Sequence, residues 1–596
     1  MSLTQLPPPP DATAASPAAP GLLSRLVSYI RFLAQRFFLL TLILIGASCG
    51  VLAVLFHQYV ELARHYLIGR ALEQHGVAHV IFVVATPTIL FSALAWAIRR
   101  FAPRAVGANL ARVRMAYNQD PSLLGPRAVG ATLIATPLSL GAGAPLGPEG
   151  PITVITAGFS AAIARVLKLP RKIVRGMIPI GVAAGISAIF NTPITGVVFA
   201  LEEILGTAER GILGGVLVGS VAAAVVERML LGGRPTLSAP FSSWSDPREL
   251  IGFAIVGVVA GVASGFAIAV AHRLKRRWAA VMPSIVLRAA LAGLLIGAAG
   301  LLAPEILGVG YDSVSFWLNG GSGAYTTGLA FLVKIVAFVI AISGGIIGGT
   351  FAPSLFIGTA LGAAIGHGAQ DIFPNAGIDP KAYAILGMGT FFAGLLRSPI
   401  AAVLIVVELT RDYELIVPLM LGVSLAVAIS RRISPLSIVE QQMVDEGWIE
   451  EHKAADPLAH VLASETMVPN AVTLPIDATL IDATRKVAGT RHRFYPVVDG
   501  EGRLAGVVTR EAIDAAAVAG RLDELVRDLV EQPKLVARDT DLVVDLVKQM
   551  QIRSVDRCPV VDAAQRVVGF LSPSDLLRAR IAHSTETQDE AFEFFE

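Results

Sequence analysis

The chain has 596 residues, of which 54% are hydrophobic and only 16% charged, with a formal net charge of +2. The charged share lies well under the roughly 25% of a soluble domain, which points to a membrane protein, and the near-neutral balance offers nothing to nucleic acid. Two cysteines, Cys49 and Cys558, fall in regions of different character, so no disulfide framework is expected.

Residues 1–21 are rich in Pro and Ala and read as a disordered tail without the basic start and short apolar run of a cleaved signal peptide. Arg25, Arg31 and Arg36 precede the first long apolar run, FFLLTLILIGASCGVLAVLF (37–56), and Arg431 and Arg432 follow the last. Basic flanks favour the cytoplasmic side, so both ends are expected there, with an even number of crossings. Many of the apolar runs between are interrupted by Gly and Pro. Broken helices in a membrane are tolerated only where protein or an aqueous cavity surrounds them.

One such interruption is PLGPEGPIT (145–153), which sets Glu149 between two Gly-Pro breaks inside an apolar stretch. The sequence repeats around it. GVAAGISAIFNTPITGVVFALEE starts at Gly181 and GMGTFFAGLLRSPIAAVLIVVEL at Gly387, with Pro193 and Glu202 matching Pro399 and Glu408 at an offset of 206. EGPITVITAGFSAAI from Glu149 matches FAPSLFIGTALGAAI from Phe351 at an offset of 202, Pro151 falling on Pro353. Two matches at nearly one offset indicate duplicated halves, about 37–230 and 248–430.

Paired Gly/Pro-interrupted segments in two halves are a pointer to a transport site. A helix starting just after each motif would aim free N–H groups and a positive dipole end at the midplane, where they bind anions. Glu149 is then an anion at an anion site. It occupies the place of a transported anion, and on protonation it loses its attraction and swings away. The alternative is a carboxylate paired with a buried arginine or capping a helix. Phe351 stands opposite Glu149 in the repeat; its ring is expected to pack and its N–H to face the anion.

These residues resemble the CLC family of chloride channels and chloride/proton antiporters, over about 37–440 and the soluble tail. GPEGP resembles the family's G-K/R-E-G-P motif and GGTFAP (348–353) its G-x-F-x-P motif. Gly107-Ala108-Asn109-Leu110-Ala111 occupies the place of the family's G-S-G-I-P. The resemblance implies an all-α polytopic membrane domain of two inverted repeats with broken helices (22–440) and a homodimer with one anion pathway per subunit. It makes Glu149 the external gating glutamate. The anion would be held by Gly107, Ala108, Asn109, Gly147, Pro148, Gly150, Thr350, Phe351 and Ser437. The family's F-N-A-P…E-E stretch matches Phe190 to Pro193 and Glu202-Glu203, which makes Glu203 the internal proton-transfer residue; the alternative is a salt-bridged helix end. Three departures stand out: Ala108 replaces a serine, Ser437 a tyrosine and Pro148 a basic residue.

Residues 441–463 read as a linker, and the tail beyond repeats at an offset of 63: YPVVDGEGRLAGVVTREAI (495–513) matches CPVVDAAQRVVGFLSPSDL (558–576). Asp477 and Asp539 are expected to cap the first helix of each unit. The pattern resembles a cytoplasmic α/β pair of CBS domains, 464–520 and 521–584, followed by an acidic tail, 585–596. Such pairs imply an adenine nucleotide, held here by Thr509, Ser572 and Asp575. The first unit has Ala512 where the aspartate would stand, so at most one complete site is expected. The alternative is a purely structural dimer in which Ser572 caps the last helix.

No Walker loop, HExxH spacing or nucleophile motif supports an enzyme, and neither a required cofactor nor a metal is expected. The leading expectation is proton-coupled chloride antiport in a bacterial inner membrane, regulated by the CBS pair. The alternatives are a passive voltage-gated-type chloride channel and a CBS-regulated divalent-cation transporter, which would need a midplane cluster of oxygen ligands.

Overall fold

Gly, Pro and small residues decide where these apolar helices start, stop and touch. The computed structural model describes residues 38–102, 109–206, 210–232, 237, 248–447, 461–469, 471–490 and 492–579. The N-terminal tail with Arg25, Arg31 and Arg36, the motif residues Gly107 and Ala108, much of the linker and the acidic tail lie outside them. The chain divides between Glu446 and Gly447 into two units.

In the first unit one series of helices is followed by a second in the same order. The first comprises α1 (Phe38–Arg64), α2 (Gly76–Phe101), α3 (Leu110–Asn118), α4 (Pro126–Gly141), α5 (Glu149–Val166), α6 (Arg171–Phe190), α7 (Pro193–Phe199) and α8 (Arg210–Leu231). The second comprises α9 (Glu249–Val281), α10 (Ile285–Leu302), α11 (Tyr311–Leu318), α12 (Ala324–Gly344), α13 (Phe351–Ile372), α14 (Pro380–Leu396), α15 (Pro399–Thr410) and α16 (Ile416–Ile433). A short α17 (Ile438–Asp445) closes the unit. Among the described residues, eight helical stretches are long and apolar enough to cross a membrane. Helices α5, α13 and α14 are buried along most of their length, whereas α1, α2, α9 and α10 expose apolar side chains such as Leu44, Ile89, Ile255 and Leu287, as lipid-facing helices do.

Close approach replaces the hydrophobic effect as the packing force between such helices. A Cβ at Gly358 of α13 would lie 2.2 Å from the Gly387 carbonyl oxygen of α14, so only glycine lets these backbones meet. The helix breaks are copied too. Helix α6 ends on Asn191 (φ 56°) and α14 on Arg397 (φ 66°), each in left-handed conformation and each followed by a proline that opens the next helix.

Two reciprocal contacts show that the halves are related by a pseudo-two-fold axis. Gly147 N–H donates to the Gly349 carbonyl at 2.9 Å and Gly349 N–H to the Gly147 carbonyl at 2.6 Å. The Glu202 carboxylate accepts from Ile400 and Ala401 N–H (3.2 and 2.9 Å), while Glu408 accepts from Ile194 and Thr195 N–H (3.0 and 2.6 Å). Each half thus supplies a carboxylate to the first-turn amides of the other half's helix, which have no partner of their own within the helix.

The second unit contains two small mixed sheets. In one, β2 (Leu474–Pro475) runs parallel to β3 (Phe494–Val498), which pairs antiparallel with β4 (Leu504–Thr509). In the other, β5 (Ala537–Arg538) is parallel to β6 (Cys558–Val561), which is antiparallel to β7 (Val567–Leu571). Strand β1 (Val468–Pro469) adds to β7 although it begins the first sequence repeat, and Val526, just inside the second repeat, packs in the first core. The repeats therefore interlock. Helices α18 (Leu480–Ala488), α19 (Arg510–Val518) and α20 (Val543–Ile552) cover the sheets.

The capping expectation for Asp477 and Asp539 is corrected. Hydrogen-bonded turns follow β2 and β5 at these positions, Ala478 N–H donating to the Pro475 carbonyl at 3.1 Å and Asp541 N–H to the Arg538 carbonyl at 3.0 Å, so the helices begin later. Thr479 caps α18, Asp477 pairs instead with Arg527, and Asp539 bonds through its backbone to Ser464 and Val561.

Candidate functional site

The two Gly/Pro motifs place helix starts back to back. Helices α5 and α13 begin within the motifs rather than after them, at Glu149 and Phe351, so Pro151 and Pro353 are each the third helical residue. Proline is tolerated there because a first-turn N–H has no helical acceptor. The Gly147–Gly349 bridge locks the turns together. A Cβ at Gly150 would lie 4.0 Å from both the Gly349 and the Leu110 amide nitrogens, so the start of α3 reaches the same point. Gly147, Pro148, Gly150, Thr350 and Phe351 thus lie together around convergent helix N-termini, which favour negative charge.

Glu149 fills this place. It is fully buried, and its Oε2 accepts the N–H of Ala352, at 3.2 Å, in the first turn of the other half's helix α13. The Tyr311 hydroxyl, at the start of α11, donates to its Oε1. Glycine at 147 makes the room: a Cβ there would stand 2.1 Å from Glu149 Oε2 and 2.8 Å from the Ala352 Cβ. The Phe351 ring stacks on Phe190 (5.0 Å between centroids) and meets Phe199 and Phe392 edge-on. Its side chain is packing, and its backbone opens α13.

Asn109 and Ser437 hold the neighbouring helix starts. Asn109 caps α3, its Oδ1 accepting from Arg112 N–H, and its amide donates to Gln442 Oε1 of α17 at 3.0 Å. Ser437 caps α17 in a reciprocal box with Glu440. That cap uses the lone pair of the Ser437 hydroxyl and leaves its proton for another acceptor. Arg397 donates to the carbonyls of Ser434 and Pro435 and so fixes the turn ahead of Ser437.

Glu203 lies in the π-helical turn Ala200–Leu205 that ends α7. It is 5% exposed, accepts from the Ser398 hydroxyl, and experiences the charges of Arg114 and Glu440. Its neighbour Glu202 is committed to capping α15. The wider turn therefore points two consecutive carboxylates to different tasks.

Sequence reasoning missed Tyr311, Ser398 and Lys334. Lys334 is fully buried on α12, donating to the carbonyls of Ile306, Gly308 and Val309 at 2.8, 2.7 and 3.5 Å. A lysine inside a clean apolar helix was the available signal. Tyr311 and Ser398 carry none, because a tyrosine after Gly-Val-Gly and a serine before proline are ordinary turn chemistry. Among the described residues no group of three or more His, Cys, Asp or Glu side chains could hold a metal ion.

In the tail, Thr509 caps α19 by accepting from Ala512 N–H at 3.1 Å. Ser572 donates through N–H and hydroxyl to Asp575 Oδ2 (3.0 and 2.5 Å), and Arg578 pairs with Oδ1 at 2.5 Å. Ser572 and Asp575 thus open the helical stretch 573–579 as a cap pair.

Comparison with known proteins accords with this geometry. Residues 88–431 match the model of the voltage gated chloride channel family, and 463–518 and 526–582 each match the CBS domain. A putative chloride channel protein, ClcB-like, of Ralstonia nicotianae is 32% identical over 288 residues, 48% of this chain and 67% of the relative. An H(+)/Cl(-) exchange transporter, ClcA, of Salmonella paratyphi B is 28% identical over 397 residues, 64% of this chain and 83% of the relative. Among solved structures, a slow cyanobacterial Cl-/H+ antiporter superposes with a TM-score of 0.64 at 24% identity, covering 70% of this chain and 98% of its own. A eukaryotic CLC transporter gives 0.64 at 19% identity, covering 92% and 98%. With a buried glutamate at the meeting point of two inverted halves, a family match over residues 88–431 and two CBS domains later in the chain, the chain belongs to the voltage-gated chloride channel, or CLC, family.

Proposed function

We propose that the protein exchanges chloride or a similar anion for protons across a membrane. The observation that carries this reading is the Glu149 carboxylate, buried where helix N-termini converge and held by the Ala352 N–H of the opposite half. A transported anion and this carboxylate compete for one set of donors. Protonating Glu149 removes its charge, frees it to leave, and moves a proton with it. Glu203, beside the hydroxyl of Ser398, relays protons on the cytoplasmic side. The protein works as a membrane-embedded homodimer in a bacterial inner membrane with both termini in the cytoplasm. The CBS pair binds an adenine nucleotide at Ser572, Asp575 and Thr509, and calorimetric titration of the purified protein with ATP and AMP tests that assignment. It is overturned by absence of binding, or by binding unchanged in Asp575→Ala.

The test of transport is paired flux in proteoliposomes, with valinomycin and potassium clamping the voltage. An imposed chloride gradient is expected to drive protons uphill, and Glu203→Gln to abolish the proton movement. Chloride flux without protons would make the protein a passive channel; absence of anion flux in folded protein would overturn the reading.

A further inference from the structure

We propose that Tyr311 coordinates the transported anion: its hydroxyl, held in place by Lys334, donates to whichever anion occupies the position between the starts of α5 and α13. This rests on the reading above, in which Glu149 vacates that position. The hydroxyl is spent on the Glu149 carboxylate in the structure. What happens when the carboxylate leaves depends on whether Tyr311 can follow, and three features hold it.

The first is the chain that leads into α11. Gly308 (φ 75°) and Gly310 (φ 87°) are both left-handed, and a Cβ on Gly310 would lie 2.6 Å from the ring of Phe356. The loop therefore lies against α13 with no slack. The second is Lys334. Its ammonium has three N–H groups, and the three carbonyls of Ile306, Gly308 and Val309 surround it, with the Phe356 ring centroid 4.4 Å away. To move the loop, these carbonyls would have to leave a buried charge, which is costly. The third is the tyrosine ring, set edge-on to Phe190, which stacks on Phe351.

A pinned hydroxyl whose carboxylate has departed is a buried donor without an acceptor, and that is the expensive case for a hydrogen bond. An incoming anion removes the penalty. The same donor thus serves the gate and the cargo in turn. Lys334 is a positioning residue that acts through the 306–309 loop.

The experiment is chloride titration calorimetry on the full chain with the gate removed. Glu149→Ala is compared with Glu149→Ala/Tyr311→Phe, which keeps the ring and deletes only the hydroxyl. Loss of one hydrogen bond to a charged partner is expected to weaken chloride binding by about ten- to a hundredfold. Equal affinity in the two variants overturns the role of Tyr311 while leaving anion exchange standing. No chloride binding to Glu149→Ala overturns the transport reading and this proposal together. Adding Lys334→Met to Glu149→Ala is expected to weaken binding, whereas adding it to the Tyr311→Phe double variant changes affinity little. An equal loss in both backgrounds overturns the positioning role.

Discussion

The two halves of the membrane unit share helix order, helix breaks and packing, yet differ at the positions where the chemistry sits. Where they agree, the residues are structural. Glu202 and Glu408 occupy equivalent places and cap each other's half, Asn191 and Arg397 end equivalent helices in the same strained conformation, and Gly147 and Gly349 bridge across the axis. Where they disagree, a charged or polar group stands against an inert one. Glu149 faces Phe351 in the repeat, Glu203 faces Leu409, and Lys334 faces Thr132, whose hydroxyl only bonds back to Ala128 in its own helix. A symmetric frame supplies two sets of helix ends, and under the proposed function the asymmetric positions carry the gate and the relay. Buried ionisable groups are costly in a membrane, so each half keeps them only where they do something.

That contrast can be broken most sharply at Glu149. Glu149→Ala is expected to abolish proton coupling while chloride flux continues, read as paired flux in proteoliposomes; Phe351→Leu, its repeat partner, should retain coupling. Next, Glu203→Gln is expected to reduce proton movement to background with chloride flux retained, whereas Leu409→Gln leaves both fluxes in place. If Leu409→Gln also stopped the protons, the asymmetry would have no functional meaning.

The symmetric positions call for stability measurements. Glu202→Gln and Glu408→Gln each remove a charged acceptor from two first-turn amides, and each is expected to cost about 1–2 kcal/mol, a typical helix-cap value. Thermal unfolding in detergent should show similar losses for the two, and strongly unequal ones would contradict the reciprocal roles. Alanine at the bridging glycines separates gate from frame. A Cβ at Gly147 meets the carboxylate of Glu149 first, at 2.1 Å, and the Ala352 Cβ at 2.8 Å, so Gly147→Ala should expel the gate and raise anion flux at some cost in stability. A Cβ at Gly349 meets the Gly150 amide nitrogen at 2.7 Å, so Gly349→Ala should destabilise by about 1–3 kcal/mol, as overpacking does.

The smallest effect lies in the soluble pair, at a turn that the two repeats share. N–H groups of Arg503 and Arg566 hold Asp499 and Asp562 below the usual aspartate pKa in identical turns. Because the folded value lies below the unfolded one, the stabilisation is present at neutral pH and disappears as pH falls through the folded value. Asp499→Asn and Asp562→Asn should each lower the unfolding midpoint slightly at pH 7, and by nothing in acid.

Much of this was legible in the chain because the duplication is written in Gly and Pro, whose backbone preferences are local. The offsets of 202 and 206 located both helix starts of the site and both helix breaks. Glu149 was readable as an anion among helix ends because a carboxylate between two Gly-Pro steps has little other reason to lie in an apolar run. The caps of the tail were misplaced at Asp477 and Asp539, since a hydrogen-bonded turn follows each strand there and those helices begin after it. Ser437 stands where the family has a tyrosine, so a phenol would be absent there or supplied elsewhere. The Tyr311 hydroxyl donates to Glu149 from a different helix that no local pattern ties to it.

By itself, the sequence determined the membrane class, the two halves and the tail repeat, because each is a matter of composition or periodicity along one chain. Only the tertiary structure decided that Glu202 caps α15 of the opposite half while Glu203 meets the Ser398 hydroxyl beside it, that Tyr311 reaches Glu149, and that a buried lysine holds the loop leading into Tyr311. The lysine contacts span 25 to 28 positions, and the others join residues 162 to 203 positions apart. Their geometry depends on how two sets of broken helices meet across an axis, and no short-range preference encodes that.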